Sequence, residues 1–392
     1  MHEQPPLRVT NTHQDSIARS IRGKIWLLPG IVLLGIALLV IPSWENLFSS
    51  SKSPVKQINP PAAFAAKAFF QEYPFPLQGS EAMRPAIDHQ GRIWFGDMSH
   101  NALVVFDPHT RTFQYLTPPR GHHGIMGIVA APDDTIWFAE QYANYIGHYF
   151  PATRHYQIYP LPWIRFPDQG HSVQQLPLPS APNELALDAH GEVWFTEFNA
   201  DRLGRLNPQT GHIQQYQLAA KPSVQILYPY GVTVDPQGSV WFTESGKNTF
   251  GRLEPATGVV HVYTVPDPHA FTMEIDSDRH GSLWITSFVP GLLFRFIAGT
   301  GKLITYTVSV RGNERSTLYG LLVPTSGDVW VTILAENMLA HLDPRTGRFL
   351  YYRIPTAGSL PLGLVMDANQ NIWFTGLDKL GMLNPVRSQS RI

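Results

Sequence analysis

The chain has 392 residues, with 29 basic and 30 acidic side chains and a net charge of −1. This balance argues against a nucleic-acid-binding protein, which is usually strongly basic, and we expect no nucleic-acid partner. Cysteine is absent, which excludes disulfides, thiolate metal sites and a cysteine nucleophile.

The N-terminal part contains one uncharged apolar run, Ile25–Ile41, with Trp26 and Trp44 near its ends. The run is close to the lower length limit of a membrane-spanning helix, and tryptophans at its ends are typical of interface anchors. Basic residues precede it at Arg8, Arg19, Arg22 and Lys24. By the positive-inside rule, we predict a cytoplasmic segment over 1–24, a single-pass transmembrane anchor over 25–44 and a periplasmic or extracellular location for the rest.

A cleaved signal peptide is the alternative interpretation of the same run, because an h-region has a similar length. The segment Pro42–Phe48 lacks a convincing small-residue cleavage site, and the basic region before the run is long. We therefore favour an uncleaved anchor. Residues 45–68, rich in Ser, Pro, Ala and Lys, are predicted to be a linker.

From Trp94 onward the chain repeats one short pattern, Trp-Phe-Thr/Ala-Glu or a close variant. The repeated tryptophans are Trp94, Trp137, Trp194, Trp241, Trp284, Trp330 and Trp373. They recur about every 45 residues, and a repeat of that length made of β-type residues predicts a β-propeller.

Each copy also carries turn residues at fixed offsets. An Asp and a Gly before most of the tryptophans predict a tight turn into the Trp strand, as at Asp235 and Gly238. A second turn follows each motif, as in Glu254–Gly258, and leads into an aromatic and β-branched outer strand that ends in Pro, as in Val260–Pro266. Together these elements make a four-stranded blade.

The seventh copy lacks an outer strand of its own, and Phe69–Phe75 has the matching pattern. We predict that this N-terminal strand completes the last blade, because an open ring would expose two sheet edges. The predicted fold is therefore all-β: a seven-bladed β-propeller of four-stranded blades over 69–392, closed by an N-terminal strand and preceded by one transmembrane helix.

In such a fold the starts of the inner strands and the ends of the Trp strands share one face. The residues expected around the channel mouth are Met83, Met126, Asn183, Tyr230, Met273, Tyr319 and Leu362. Adding the charged residues beside them, the candidate ligand-binding lining is Arg84, Asn183, Glu184, Tyr230, Glu274 and Tyr319. The alternative interpretation is a channel plug held by an Arg-Glu ion pair.

Acidic residues follow the Trp on four successive blades, at Asp97, Glu140, Glu197 and Glu244. Carboxylates on one rim could hold a divalent cation such as Mg²⁺ or Ca²⁺, and Glu184 and Glu274 could contribute to such a site. The alternative, which we favour, is that each acid accepts hydrogen bonds from its adjoining loop. No cofactor is predicted with certainty.

Two further features carry candidate functional residues, and the loops of His122, His123 and His269 are expected on the same face. Histidines without a diagnostic metal-binding spacing occur at His100, His122, His123 and His269. The longest interval between tryptophans inserts Trp163, Arg165, Phe166, Asp168 and His171. We predict a lid or docking contact there, unless Pro162, Pro167 and Pro177 simply brace a loop.

The repeat in Pro229–Glu244 and Asn248–Leu253 resembles the virginiamycin B lyase (streptogramin B lyase) family over about 69–385. The resemblance implies a seven-bladed propeller. It also implies an activity, the opening of a cyclic depsipeptide at its ester by elimination. That activity uses a general-base histidine and a magnesium ion held by glutamates.

The chain departs from the family pattern at the positions that carry this chemistry. The family's Glu-Pro-His-Gly stretch on the last blade corresponds to Leu360–Gly363, and the residues after Trp373 are Thr375, Gly376 and Leu377. The family's other histidine corresponds to Tyr319. No histidine occupies a channel-mouth position in any copy, so the base and both metal carboxylates that the resemblance implies are missing from this sequence.

Three functions remain open. The favoured one is a membrane-tethered propeller that binds a small molecule, peptide, glycan or protein without chemistry. The second is a metal-assisted hydrolase or lyase acting on a lactone, ester or cyclic depsipeptide, with Asn183, Glu184 and Glu274 around the metal. The third is a lyase of altered substrate. Pairing of the two glutamates with Arg84 would favour the first.

Overall fold

The computed structural model describes residues 57–58, 63–65, 68–119, 124–164, 177–218, 227–310 and 316–385. The predicted cytoplasmic segment, 1–24, and the predicted anchor, 25–44, lie outside these ranges. Among the described residues, none forms a helix with the length and apolar character that a membrane span requires.

Thirty strands occur in the described ranges. In chain order they are β1 (Gln57–Ile58), β2 (Ala63–Phe64), β3 (Phe69–Pro74), β4 (Ala82–Ile87), β5 (Ile93–Asp97), β6 (Ala102–Asp107), β7 (Thr112–Leu116), β8 (Ile125–Ala130), β9 (Ile136–Glu140), β10 (Tyr145–Phe150), β11 (His155–Pro160), β12 (Pro182–Leu187), β13 (Val193–Glu197), β14 (Arg202–Leu206), β15 (Ile213–Gln217), β16 (Pro229–Val234), β17 (Val240–Glu244), β18 (Thr249–Glu254), β19 (Val259–Thr264), β20 (Thr272–Ser277), β21 (Ser282–Ser287), β22 (Leu292–Ile297), β23 (Lys302–Thr307), β24 (Leu318–Leu322), β25 (Val329–Ile333), β26 (Met338–Asp343), β27 (Arg348–Arg353), β28 (Leu364–Met366), β29 (Ile372–Gly376) and β30 (Lys379–Asn384).

These strands form seven antiparallel blades, as the repeat predicts. Blades 1 to 6 start at the inner strands β4, β8, β12, β16, β20 and β24, and each continues outward through the next three strands. Blade 7 is β28-β29-β30-β3. The second strand of every blade carries the repeated tryptophan. The all-β, seven-bladed propeller is therefore confirmed.

Ring closure by an N-terminal strand is also confirmed. Strand β3 pairs antiparallel with β30, with Phe69 opposite Asn384 and Pro74 opposite Lys379. Tyr73 on this strand stacks on Trp373 of blade 7, with ring centroids 5.8 Å apart. The same ring lies 4.7 Å from Phe106 of blade 1, so the closing strand also joins the two ends of the ring.

The described part of the predicted linker over 45–68 includes two short strands. Strand β1 adds a fifth, parallel strand to the outer edge of blade 5, and β2 does the same on blade 6. The amide of Ala65 continues the second contact by donating to Tyr351 O at 2.9 Å. These residues lie on the blades because outer strands leave backbone groups open for pairing.

The repeated Trp-Phe pair builds the core of each blade. In blade 4, Trp241 is fully buried and its indole Nε1 donates to Asp235 Oδ2 at 2.8 Å, which explains the Asp six residues earlier. The Phe242 ring fills the space opposite Gly251, where a Cβ would lie 2.2 Å from the ring. Only glycine therefore fits at that position of the third strand.

Hydrophobic layers lie between neighbouring blades rather than in one central core. One such layer packs Trp194 and Leu203 of blade 3 against Val232 and Phe242 of blade 4. Each fully buried side chain of this size contributes about 1.5–3 kcal/mol to stability. The middle of the ring is thereby left to polar groups.

The inner strands of blades 1 to 6 each contain a β-bulge near their start. In blade 1 the irregularity falls between Ala82 and Pro85, so that Met83 and Arg84 occupy it. A bulge turns side chains away from the regular alternation of a strand. Here it directs them into the centre of the ring.

Candidate functional site

An ion pair crosses the centre of the propeller. Arg84 of blade 1 donates from Nε and Nη2 to Glu274 Oε1 of blade 5, at 2.9 and 2.5 Å. The same guanidinium pairs with Glu184 of blade 3. All three residues are buried, with 7–8% of their surface exposed. Three blades that are not neighbours are thus joined through one guanidinium.

The three remaining predicted lining residues complete this network. Tyr230 and Tyr319 share a hydrogen bond between their hydroxyls at 2.5 Å. The Arg84 Cζ lies 4.9 Å from the centroid of the Tyr230 ring, which is a cation–π arrangement. Asn183 Nδ2 donates to Tyr230 O at 3.1 Å. The structure therefore brings all six predicted residues together.

Burial and charge shift the pKa values at this centre. Burial opposes the charge on Arg84, but Glu184 and Glu274 outweigh it and hold the pKa of Arg84 well above its ordinary value. Burial raises the pKa of Glu184 to about 8, although Arg84 acts against the shift. Burial also raises the pKa of Tyr319 to about 12 and that of Tyr230 well above its usual range. Neither tyrosine can serve as a base near neutral pH.

Asp276 lies on β20, the inner strand that also carries Glu274, and it was not predicted from the sequence. Its carboxylate accepts from the amide of Ser277 at 2.8 Å and from the amide of Val323, on the next blade, at 3.0 Å. Burial raises its pKa to about 7. The spacing of Glu274 and Asp276, two residues apart on one strand, could have identified it.

Aromatic residues that were not predicted surround the tyrosine pair. The ring of Phe198 lies 4.8 Å from Tyr228 and 6.2 Å from Tyr230, and Phe288 lies 6.5 Å from Tyr319. Phe198 and Phe288 directly follow the repeated four-residue motif, so the repeat itself marks their position. Gln141 takes the same place on blade 2 and donates to Asn183 Oδ1 at 3.4 Å.

The acidic residues that end the Trp strands, Asp97, Glu140, Glu197 and Glu244, are all buried. Asp97 accepts from the amide of Glu81 at 3.1 Å, Glu197 from Arg202 at 2.8 Å and from Gln215 at 2.7 Å, and Glu244 from Thr249 at 2.5 Å. In the ranges that the structure covers, no group of three His, Asp or Glu side chains is arranged to hold a metal ion.

The predicted histidines are only partly within the described ranges. His100 Nδ1 lies 2.9 Å from Asp97 Oδ2, and Ser80 Oγ lies 3.4 Å from the same nitrogen. Because both partners meet one ring nitrogen, this trio has no Ser-His-Asp relay geometry. The amide of His269 donates to Asp267 at 3.0 Å. His122 and His123 lie outside the described residues.

The base of the long insertion between blades 2 and 3 is held by Asn144. Its Nδ2 donates to Leu161 O at 3.0 Å, and its Oδ1 accepts from Ser180 Oγ at 2.8 Å. Trp163 in this loop is 49% exposed. The other residues of the predicted lid or docking contact lie outside the described ranges: Arg165, Phe166, Asp168 and His171.

A sequence model described as the virginiamycin B lyase family matches residues 164–383. No curated protein matches the chain.

Solved structures match the same architecture. A streptogramin B lyase aligns with a TM-score of 0.71 at 24% identity, covering 81% of this chain and 98% of that one. Virginiamycin B lyase from Staphylococcus aureus aligns with a TM-score of 0.70 at 23% identity, covering 81% and 99%. The extracellular domain of a protein assigned to the hybrid two-component systems of B. thetaiotaomicron aligns with a TM-score of 0.62 at 15% identity, covering 81% of this chain and 39% of that one. At these identities the matches show the fold alone.

Proposed function

The chain belongs to the virginiamycin B lyase family, and we propose that it acts there as a membrane-anchored, extracytoplasmic binding module without lyase activity. One observation carries the proposal: Arg84 binds both glutamates of the channel centre. A metal ion that activates a substrate would need both carboxyl groups as ligands. Here the guanidinium already pairs with both of them. The acids therefore serve an internal ion pair.

The last blade supports the same conclusion. The position that matches the family's base is occupied by Leu362, and those that match its metal ligands by Leu360 and Thr375–Leu377, none of which ionises near neutral pH. The amide of Leu362 donates to Thr375 O at 2.8 Å, and the amide of Gly363 donates to Thr375 Oγ1 at 3.1 Å. Elimination requires a base within hydrogen-bond reach of the proton, and this segment offers no ionisable side chain for that role.

The channel face is the proposed ligand-binding surface. Its polar centre carries Asn183, Tyr230 and Tyr319, and the aromatic side chains of Tyr228 and Phe198 lie beside it. Aromatic rings combined with a few fixed polar groups are the usual composition of a site for a small molecule or peptide, and here Asn183, Tyr230 and Phe198 are buried at the centre of this face. A small molecule, a peptide or a protein remains the proposed class of partner.

Membrane anchoring rests on the sequence of residues 25–44 and on the basic residues that precede them. In this proposal the N-terminal helix attaches the chain to the membrane by a single pass. A protease-protection assay on membrane vesicles tests the orientation, and digestion of the propeller from the cytoplasmic side would contradict it.

The absence of chemistry is tested on the full-length protein in detergent. We expect no cleavage of streptogramin B, simple lactones or esters, with or without added Mg²⁺, Ca²⁺ or Mn²⁺. We also expect no calorimetric signal from these ions. Micromolar metal binding that is lost in both Glu184→Gln and Glu274→Gln, together with turnover, would establish the alternative function of a metal-assisted hydrolase or lyase.

A further inference from the structure

We propose that the centre of the channel is a binding site for a guanidinium cation, and that Arg84 is its tethered occupant. The site consists of Glu184, Glu274 and the ring of Tyr230. These groups come from blades 3, 5 and 4, whereas the guanidinium enters from blade 1. We call Glu184, Glu274 and the Tyr230 ring the receptor part of the site. The receptor part and Arg84 thus belong to different blades.

The receptor part is held in place without help from Arg84. The amide of Glu184 donates to Thr196 Oγ1 at 3.1 Å, and this hydroxyl in turn donates to Tyr230 O at 2.8 Å. A second threonine repeats the arrangement: the amide of Glu274 donates to Thr286 Oγ1 at 3.2 Å. Because these bonds hold the backbone of the bulges that carry both acids, we expect the two glutamates to stay near the channel centre when the guanidinium is removed.

Charge gives this site its preference for a cation. Glu184 and Glu274 are both buried, and Arg84 is the cation that pairs with both of them. Burying a carboxylate without a partner is costly, so an emptied site takes up protons or an external cation.

The geometry selects a planar cation with several donors. The carboxylate Oε1 of Glu274 accepts from two guanidinium nitrogens, and the Tyr230 ring lies 4.9 Å from the guanidinium carbon. A guanidinium suits this combination because it is flat, weakly hydrated and rich in donors. A divalent metal ion fits less well, since in the covered ranges no third His, Asp or Glu is arranged with two others as a ligand set.

In the wild-type chain Arg84 occupies the site in preference to external cations, because it is covalently attached. An attached group has a high effective concentration at its own site, so an external cation cannot displace it at ordinary concentrations. Arg84 therefore closes the channel centre to cationic ligands. Arg84 has this effect whether or not the channel face binds another ligand.

The test is chemical rescue of Arg84→Ala in the full-length protein. Methylguanidinium at millimolar concentration should raise the Tm of this variant by a few degrees in a saturable way and bind it in calorimetry. Tetramethylammonium, methylammonium and Mg²⁺ should have smaller effects, and the wild-type Tm should not rise. A matched control is Arg92→Ala, since Arg92 pairs with Asp88 and lies over the Trp94 ring away from the channel.

A folded Arg84→Ala variant that methylguanidinium does not stabilise overturns the proposal. Equal stabilisation by tetramethylammonium also overturns it, because simple charge would then explain the effect. If the variant does not fold, the wild-type protein decides: the Nε–H of Arg84 should exchange with solvent at least tenfold more slowly than that of Arg92 in ¹⁵N NMR. Similar exchange rates of the two arginines would contradict a locked occupant.

Discussion

Arg84 and Glu274 are joined by two hydrogen bonds, from Nε and Nη2 of the arginine to one carboxylate oxygen, across the centre of the ring. The residues belong to blades 1 and 5, which are not neighbours in the ring, so the ion pair connects these two blades directly. A pair that is buried on both sides is costly to break from one side only. The consequences of breaking it can be measured.

Replacing the cation should destabilise the propeller strongly. Arg84→Met leaves Glu184 and Glu274 buried without a partner, and we expect a loss of about 3–5 kcal/mol in the free energy of unfolding. The triple variant with Glu184→Gln and Glu274→Gln should recover part of that loss, because no charge then remains unpaired. The control is Arg252→Met, where the arginine pairs with the partly exposed Glu254 and we expect about 1 kcal/mol or less.

Denaturant unfolding of these variants provides the measurement. If Arg84→Met and Arg252→Met cost the same, the central ion pair makes no special contribution to stability. If the triple variant is less stable than Arg84→Met, the loss arises from packing rather than from unpaired charge.

Stability should also fall as the pH rises. Burial raises the pKa of Glu184 to about 8 and that of Asp276 to about 7, so both carboxyls bind protons more tightly in the folded state than in the unfolded chain. Their contribution is complete below the unfolded pKa values, near 4, and is lost as the pH rises through 7 and 8. We expect the free energy of unfolding to decrease by a few kcal/mol between about pH 5 and pH 9.

Denaturant titrations at several pH values check this dependence. Glu184→Gln should flatten the decrease, whereas Glu254→Gln on the outer surface should leave it unchanged. A stability that increases over this range in the wild-type protein would show that the central carboxyls are ionised at low pH and that the assigned direction is wrong.

Most of the fold follows from the repeat, because each motif position has a physical task. The Asp before Trp241 accepts its indole N–H, and Gly251 leaves room for the Phe242 ring. The two added strands β1 and β2 could not be predicted in this way. They are two residues long and pair through the backbone, so they leave no alternating side-chain pattern to recognise.

The residues of the candidate site were predicted from the sequence, but the contacts between them were not. The offset from each tryptophan identifies Arg84, Glu184 and Glu274, since a bulge recurs at that offset. That one guanidinium binds both acids depends on distances across the ring, which spacing along the chain does not contain. Asp276 was missed because the equivalent positions of the other repeats are mainly apolar, as at Leu322.

The threonine of the repeated motif ties neighbouring blades together, and its loss should be measurable. Thr243 Oγ1 accepts from the amide of Gly231 on its own blade at 2.9 Å and donates to Met273 O on the next blade. Thr243→Val removes both bonds while keeping the shape, and leaves a buried amide and a buried carbonyl unpaired. We expect a cost of about 2–4 kcal/mol, because each unpaired buried group costs roughly 1–3 kcal/mol.

Two variants serve as controls for this threonine in thermal unfolding. Thr243→Ser keeps the hydroxyl and should lose far less stability. Thr257→Val changes an exposed turn residue and should have little effect. Equal losses for Thr243→Val and Thr243→Ser would mean that packing of the methyl group, not the hydrogen bonds, accounts for the cost.

The N-terminal strand β3 should be required for a closed, cooperative propeller. Removing residues 1–68 takes away β1 and β2 but leaves the pairing of Phe69–Pro74 with β30. Removing residues 1–74 also takes away β3, exposes the edge of β30 and deletes the Tyr73 ring that lies between Trp373 and Phe106. We expect the shorter deletion to unfold in a single transition close to that of the full chain, and the longer one to aggregate or unfold at a much lower temperature. Calorimetry and light scattering of the two proteins make the comparison, and similar transitions in both would show that closure by β3 contributes little to the stability of the ring.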